Sequence, residues 1–125
     1  MESVKKANNG DAPLVLNCNK IEIISKEMWV ELINMGFIED DFNYIDIARL
    51  AYEDEIDIEH NDQVNSLSAH YQDVCFTFNG NCLIIDVAKS IHSYNMPSKI
   101  TIVFNQDFDN VQEVLDALKA PAMEI

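Results

Sequence analysis

The sequence predicts an α+β fold, an antiparallel sheet of about four to five strands packed against helices in a single domain. Three observations lead there. Apolar residues recur at helical spacing between residues 25 and 53, a hairpin pattern surrounds Asn79-Gly80, and a C-terminal strand is followed by an amphipathic segment.

Residues 1–12 mix Ser, Asn, Gly, Asp and two lysines without periodicity and read as a flexible leader, with the globular domain over 13–125. Leu14-Val15-Leu16 and Ile21-Glu22-Ile23-Ile24 flank polar Asn17-Cys18-Asn19-Lys20, which suggests a hairpin or one strand leading into a second. Ser25 can cap a helix that puts Met28, Trp29, Leu32 and Ile33 on one face and ends at Gly36. A second helix starting near Asp41 would carry Ile45, Ala48 and Tyr52 inward to about Glu53. Glu55, Asp57 and Glu59 then alternate with Ile56 and Ile58 at period two, the pattern of a short acidic edge strand or extended loop.

Val74-Cys75-Phe76-Thr77-Phe78, Asn79-Gly80 and Asn81 to Val87 form a type I′ hairpin pattern. A two-residue loop at Asn79-Gly80 pairs Phe78 with Asn81, Phe76 with Leu83 and Val74 with Ile85, giving one apolar face to bury. Lys99 to Phe104 is a third strand, with Ile100, Ile102 and Phe104 on one side. Asp107 or Asp109 then caps a helix whose Val111, Val114, Leu115 and Leu118 form an i, i+3, i+4, i+7 stripe before Pro121.

The 22 acidic and 8 basic side chains give a formal charge of −14 in 125 residues, 48% of which are apolar. That apolar content suffices for a core. A surface of this charge repels phosphate, so direct nucleic-acid binding and attachment to anionic membranes are excluded as expectations, and a basic partner is favoured. No apolar run approaches the roughly 20 residues of a membrane helix, and the start of the chain lacks a secretory apolar stretch, so a soluble, cytoplasmic protein is expected. Cys18, Cys75 and Cys82 are an odd count without CxxC or CxxH spacing, which indicates neither a disulfide framework nor a zinc site.

The charge is concentrated. From Glu39 to Asp62 there are ten carboxylates and one base, Arg49, a local balance of −9. The candidate partner-binding residues are Glu39, Asp40, Asp41, Glu53, Asp54, Glu55, Asp57, Glu59 and Asp62. In an extended segment Glu55, Asp57 and Glu59 project on one side about 6.6 Å apart, comparable with phosphates along a nucleic-acid backbone. The competing interpretation is a solvated face that serves solubility.

Other chemistry lacks its residues. Neither Asp54–Glu59 nor Asn105–Asp109 has the central glycine of a calcium loop. His60, His70 and His92 fit no HxxxH or HExxH spacing, no serine lies in GxSxG, and glycine occurs only at positions 10, 36 and 80, too few for a phosphate-cradling loop. No enzyme activity, metal or cofactor is expected. Met35-Gly36-Phe37, between the two expected helices, resembles the loop that ubiquitin-associated domains present to ubiquitin, over at most residues 25–60. The third helix of that family would fall in the acidic extended segment, and a C-capping glycine between core residues accounts for the tripeptide.

Size, acidity and the absent catalytic motifs together favour a non-enzymatic inhibitor of the immunity or antitoxin type, which blocks a basic, nucleic-acid-cleaving toxin. The alternatives are a nucleic-acid mimic aimed at a host defence nuclease, of anti-CRISPR or anti-restriction type, and a cytoplasmic adaptor that binds through its sheet face.

Overall fold

The computed structural model describes residues 13–25 and 31–124, without the side chains of residues 25 and 62–64. Ten strands and one helix follow in order: β1 (Leu14–Cys18), β2 (Lys20–Ser25), β3 (Leu32–Asp40), β4 (Asn43–Leu50), β5 (Glu55–His60), β6 (Asp62–His70), β7 (Val74–Phe78), β8 (Cys82–Val87), β9 (His92–Tyr94), β10 (Lys99–Phe104) and α1 (Val111–Lys119). They make a four-stranded sheet, β1-β10-β8-β7, and a six-stranded sheet, β2-β3-β4-β5-β6-β9. The expected α+β class is therefore wrong: the protein is mostly β, with two sheets and a single α-helix among the described residues.

The correction falls on the two expected helices of residues 25–53. Their described parts are β3 and β4, paired antiparallel with Met35 opposite Ile47 and Phe37 opposite Ile45. Met28 and Trp29 lie outside the described residues. A second periodicity runs through the same residues: Ile33, Met35 and Phe37 alternate with Asn34, Gly36 and Ile38, and Ile45, Ile47 and Arg49 alternate with Tyr44, Asp46 and Ala48. Every member of the first set of each strand is buried. Strand formation lets Ile33, Ile45 and Ile47, all β-branched, pack on a pleated surface, whereas a helix that carried Ile45, Ala48 and Tyr52 inward would turn Ile47 away from that stripe. Asp41 is an exposed turn residue, and Gly36 is mid-strand, which removes the ubiquitin-associated resemblance.

β5 is acidic and extended as expected, but it is interior, flanked by β4 and β6. β1 and β2 are a strand leading into a second, and the two belong to different sheets. The switch occurs at Asn19, whose amide donates to Ile38 O at 2.8 Å and whose Nδ2 donates to Glu39 O at 2.8 Å. Strands that change sheets at such a bend form the corners of β-sandwiches.

The β7–β8 hairpin keeps its expected faces with a register displaced by two residues: Phe78 faces Leu83, Phe76 faces Ile85 and Val74 faces Val87. The tight turn centres on Gly80 and Asn81. Gly80 has φ +92°, and Asn79 Oδ1 accepts from the amides of Asn81 and Cys82 at 3.0 and 2.9 Å. An asparagine side chain that closes the turn on its own strand end favours this placement over Asn79-Gly80. Because side chains alternate with period two, a shift of two leaves the same residues inward.

Buried residues of both sheets and Val111, Val114, Leu115 and Leu118 of α1 form one apolar cluster. The helix stripe is as expected. Its N-cap is Asn110, in the left-handed region at φ 69° with no side-chain cap bond, rather than Asp107 or Asp109. Among the described residues no helix is long and apolar enough to cross a membrane.

Candidate functional site: the outer face of the six-stranded sheet

With one face of the six-stranded sheet turned to the core, its alternate residues line the other. The register gives two neighbouring rows on that outer face. Glu22, Gly36, Asp46, Glu59, Ser66 and Tyr94 follow one another across all six strands. Asn34, Ala48, Asp57, Ser68 and His92 form the adjacent row across five. Directly opposed residues of neighbouring strands share a face, so Glu22, Asp46, Asp57 and Glu59 stand together, with Asp46 directly opposite Glu59 and Gly36 between Asp46 and Glu22.

These carboxylates are oriented. Ser68 Oγ donates to Asp57 Oδ1 at 2.6 Å, and Tyr44 OH donates to Glu59 Oε2 at 2.7 Å. Each bond occupies one oxygen and leaves the other to an incoming donor. Asp46 is half-buried, and Asn34 Nδ2 donates to both of its oxygens at 2.9 Å. Burial pushes the Asp46 carboxyl above its usual range; Asn34 acts in the opposite sense, and the charge of Glu59 adds to the rise.

The expected site residues divide into three groups. Glu55, Asp57 and Glu59 lie along the outer face of β5, with Ile56 and Ile58 fully buried behind them. At one end of the strands, Glu39 Oε1 accepts the Asn17 amide at 3.0 Å, and Asp40 Oδ1 accepts the amides of Phe42 and Asn43 at 2.8 and 2.9 Å. Those bonds hold the exposed Asp40 carboxyl below its usual range, Phe42 being the largest cause. Asp41 is exposed beside it. At the other end, Glu53 and Asp54 are exposed in the β4–β5 turn, and Asp54 Oδ2 lies 3.8 Å from His70 Nε2. The side chain of Asp62 lies outside the described residues.

Arg49, the single base of the acidic stretch, neutralises none of this face. It is on the core side of β4, 1% exposed, and donates to the carbonyls of Glu53, Leu118 and Ala120 at 2.8, 2.6 and 2.6 Å while lying 4.4 Å over the Tyr71 ring. Lys119 is likewise committed to the carbonyls of Tyr71 and Val74. Lys20 is on the acidic face, and it pairs with Glu22 at 3.2 Å.

Sequence reasoning named Tyr44 and Tyr94 as rim candidates for an interface and counted Asp46 only in the charge of the acidic stretch; it missed Glu22 and Ser68 as members of the site. The available signal was the period-two alternation of Tyr44-Ile45-Asp46-Ile47-Ala48, which puts Asp46 on the face opposite the isoleucines. Two grooves open on this face. One, of about 540 Å³, is bounded by Lys20, Glu22, Gly36, Asp40, Tyr44 and Asp46; the other, of about 260 Å³, by Asp46, Ala48, Asp57, Glu59, Ser66 and Ser68. Among the described residues no group of three His, Cys, Asp or Glu side chains is placed to hold a metal ion. No protein-family model, curated protein or solved structure matches the chain significantly.

Proposed function

We propose that this chain is a non-enzymatic inhibitor of the immunity or antitoxin type, and that it blocks a basic, nucleic-acid-cleaving toxin through the outer face of the six-stranded sheet. The supporting observation is segregation: carboxylates of β2, β4 and β5 share that face, whereas Arg49 is buried on the opposite side among carbonyls. A nuclease needs Lys and Arg to hold phosphate, and carboxylates already fixed by Tyr44 and Ser68 lose little freedom on pairing with them. The charge also speeds encounter with a positive surface.

The test replaces Glu55, Asp57 and Glu59 together with Gln, Asn and Gln. Parent and variant are used to capture partners from the native host at low and high salt, and captured proteins are assayed for nucleic-acid cleavage with and without the chain. The expected result is a basic nuclease, inhibited by the parent, released by salt, and bound at least roughly tenfold more weakly by the variant, equivalent to 1.4 kcal/mol. A partner bound equally by parent and variant, and indifferent to salt, would overturn the proposal and leave the acidic face a solvated surface. A captured host defence nuclease would replace the toxin with the nucleic-acid-mimic reading.

A further inference from the structure

The two grooves share Asp46, one reaching from it over β3 to β2 and the other over β5 to β6. The row beneath them reads Glu22, Gly36, Asp46, Glu59, Ser66, Tyr94, flanked by Ala48 and Ser68, so the floor consists of small side chains with carboxylates set between them. Gly36 is a buried residue of the first groove. It occupies the middle of a central strand, where glycine sacrifices both packing and chain entropy, and such a position often marks the close approach of a ligand or another backbone. Nothing in the local geometry requires glycine there. A Cβ at residue 36 would meet Asp46 Oδ1 at 3.5 Å, an ordinary contact. Beyond the second groove the row continues from Ser66 to Tyr94, 54% exposed on the edge strand β9, where an aromatic face can receive a cation.

We infer that this trough seats an extended Lys- and Arg-rich segment of the partner, lying across the strands rather than along an edge. The inference rests on the proposed acidic-face reading and adds the form of the partner to it. The grooves cross five strands, β2 to β6, about 4.8 Å apart, a span of about 19 Å that matches some six residues of extended chain at about 3.3 Å each. An extended backbone needs the clearance that Gly36, Ala48, Ser66 and Ser68 leave. Its alternate side chains then meet Glu22, Asp46, Asp57 and Glu59, and one cation reaches Tyr94. A recessed floor receives a protruding segment; it does not plug a cleft. The toxin would thus be blocked by sequestration of the basic arm with which it grips phosphate.

The test separates shape from charge. The probe is a fluorescently labelled nine-residue peptide of alternating Arg and Gly, titrated with the full chain at low salt and followed by anisotropy. Gly36→Val fills the trough without changing the charge, and valine suits a strand, so the melting temperature should equal or exceed that of the parent. Ala48→Leu fills the neighbouring row and serves as the second variant. Each should weaken peptide binding at least tenfold, as should Asp46→Asn combined with Glu59→Gln. Equal affinity of the parent and a folded trough-filling variant, or no binding of the peptide by the parent, overturns the inference. If the host partner is lost by the β5 charge variant and retained by Gly36→Val, the acidic face stands and the trough does not. If the partner is retained by both, the acidic-face reading fails as well.

Discussion

Replacing Arg49 with Met tests whether the guanidinium ties the end of α1 to the end of β4. The side chain bonds three carbonyls, of which the contact to Leu118 is buried and those to Glu53 and Ala120 are partly buried. Methionine has similar length but leaves all three acceptors without their donor. An unpaired buried carbonyl costs about 1–3 kcal/mol, and each partly buried one, which water can reach, about 0.5–1.5 kcal/mol. The lost contact with Tyr71 adds about 1 kcal/mol. Against this, methionine ends the burial of a charge whose Nη2 has no hydrogen-bond partner among the described residues, a gain of about 1–2 kcal/mol. The balance is a loss of about 3 kcal/mol, or roughly 10 °C in melting temperature for a chain of this size. Urea unfolding followed by circular dichroism measures it, and amide exchange at Ala117–Ala120 should accelerate more than exchange in β8. Arg49→Lys should fall between, since one ammonium cannot bond three divergent carbonyls. A melting temperature within about 3 °C of the parent would refute the reasoning.

Phe37→Ala, at a fully buried site whose ring lies tilted against Phe104 with centroids 5.9 Å apart, should cost about 3–5 kcal/mol in urea unfolding. Asp46 and Asp40 should give opposite pH effects. The raised carboxyl of Asp46 favours the folded state while protonated, and this contribution is lost as pH rises through its folded value; Asp46→Asn should therefore raise the melting temperature near pH 7 and lose that advantage below about pH 4. The lowered carboxyl of Asp40 stabilises above its unfolded value and ceases to do so as pH falls, so Asp40→Ala should lower the melting temperature at pH 7 and converge with the parent in acid. Thiol alkylation followed by mass spectrometry should modify exposed Cys75 first, half-buried Cys82 next and buried Cys18 last, where burial also pushes the thiol up.

Legibility in the sequence followed the competition between periods. In β7, β8, β10 and α1 one periodicity dominates, and the elements, their inward faces and the helix stripe were all readable. In β3 and β4 two periodicities coexist. Ile45 and Ala48 suggest a helical face, although Ala48 points outward, and Arg49 in an inward position interrupts the apolar alternation that would have signalled a strand. Its burial depends on carbonyls 69 and 71 residues away, which no local window contains. The acidic array on β5 was legible from alternation alone. Its union with Asp46 and Glu22 was not, because that needs the register of three strand pairs.

The pairing of β1 with β10 has a consequence for the order of folding. These strands run parallel, Leu14 beside Ile100 and Cys18 beside Phe104, so a segment near the start of the chain waits for one made some 86 residues later. Strands β2 to β6 pair only with their sequence neighbours, apart from the late addition of β9. Loop-closure entropy favours this meander first, and on the ribosome it can be assembled while β10 is still unsynthesised. During that interval the buried faces of β3, β4 and β5 lack the opposing sheet. A translation arrest that leaves the chain outside the ribosome through Asp73 but not Lys99 should accordingly yield a nascent chain that is protease-sensitive and chaperone-bound, even though the carboxylates of β2, β4 and β5 are already assembled.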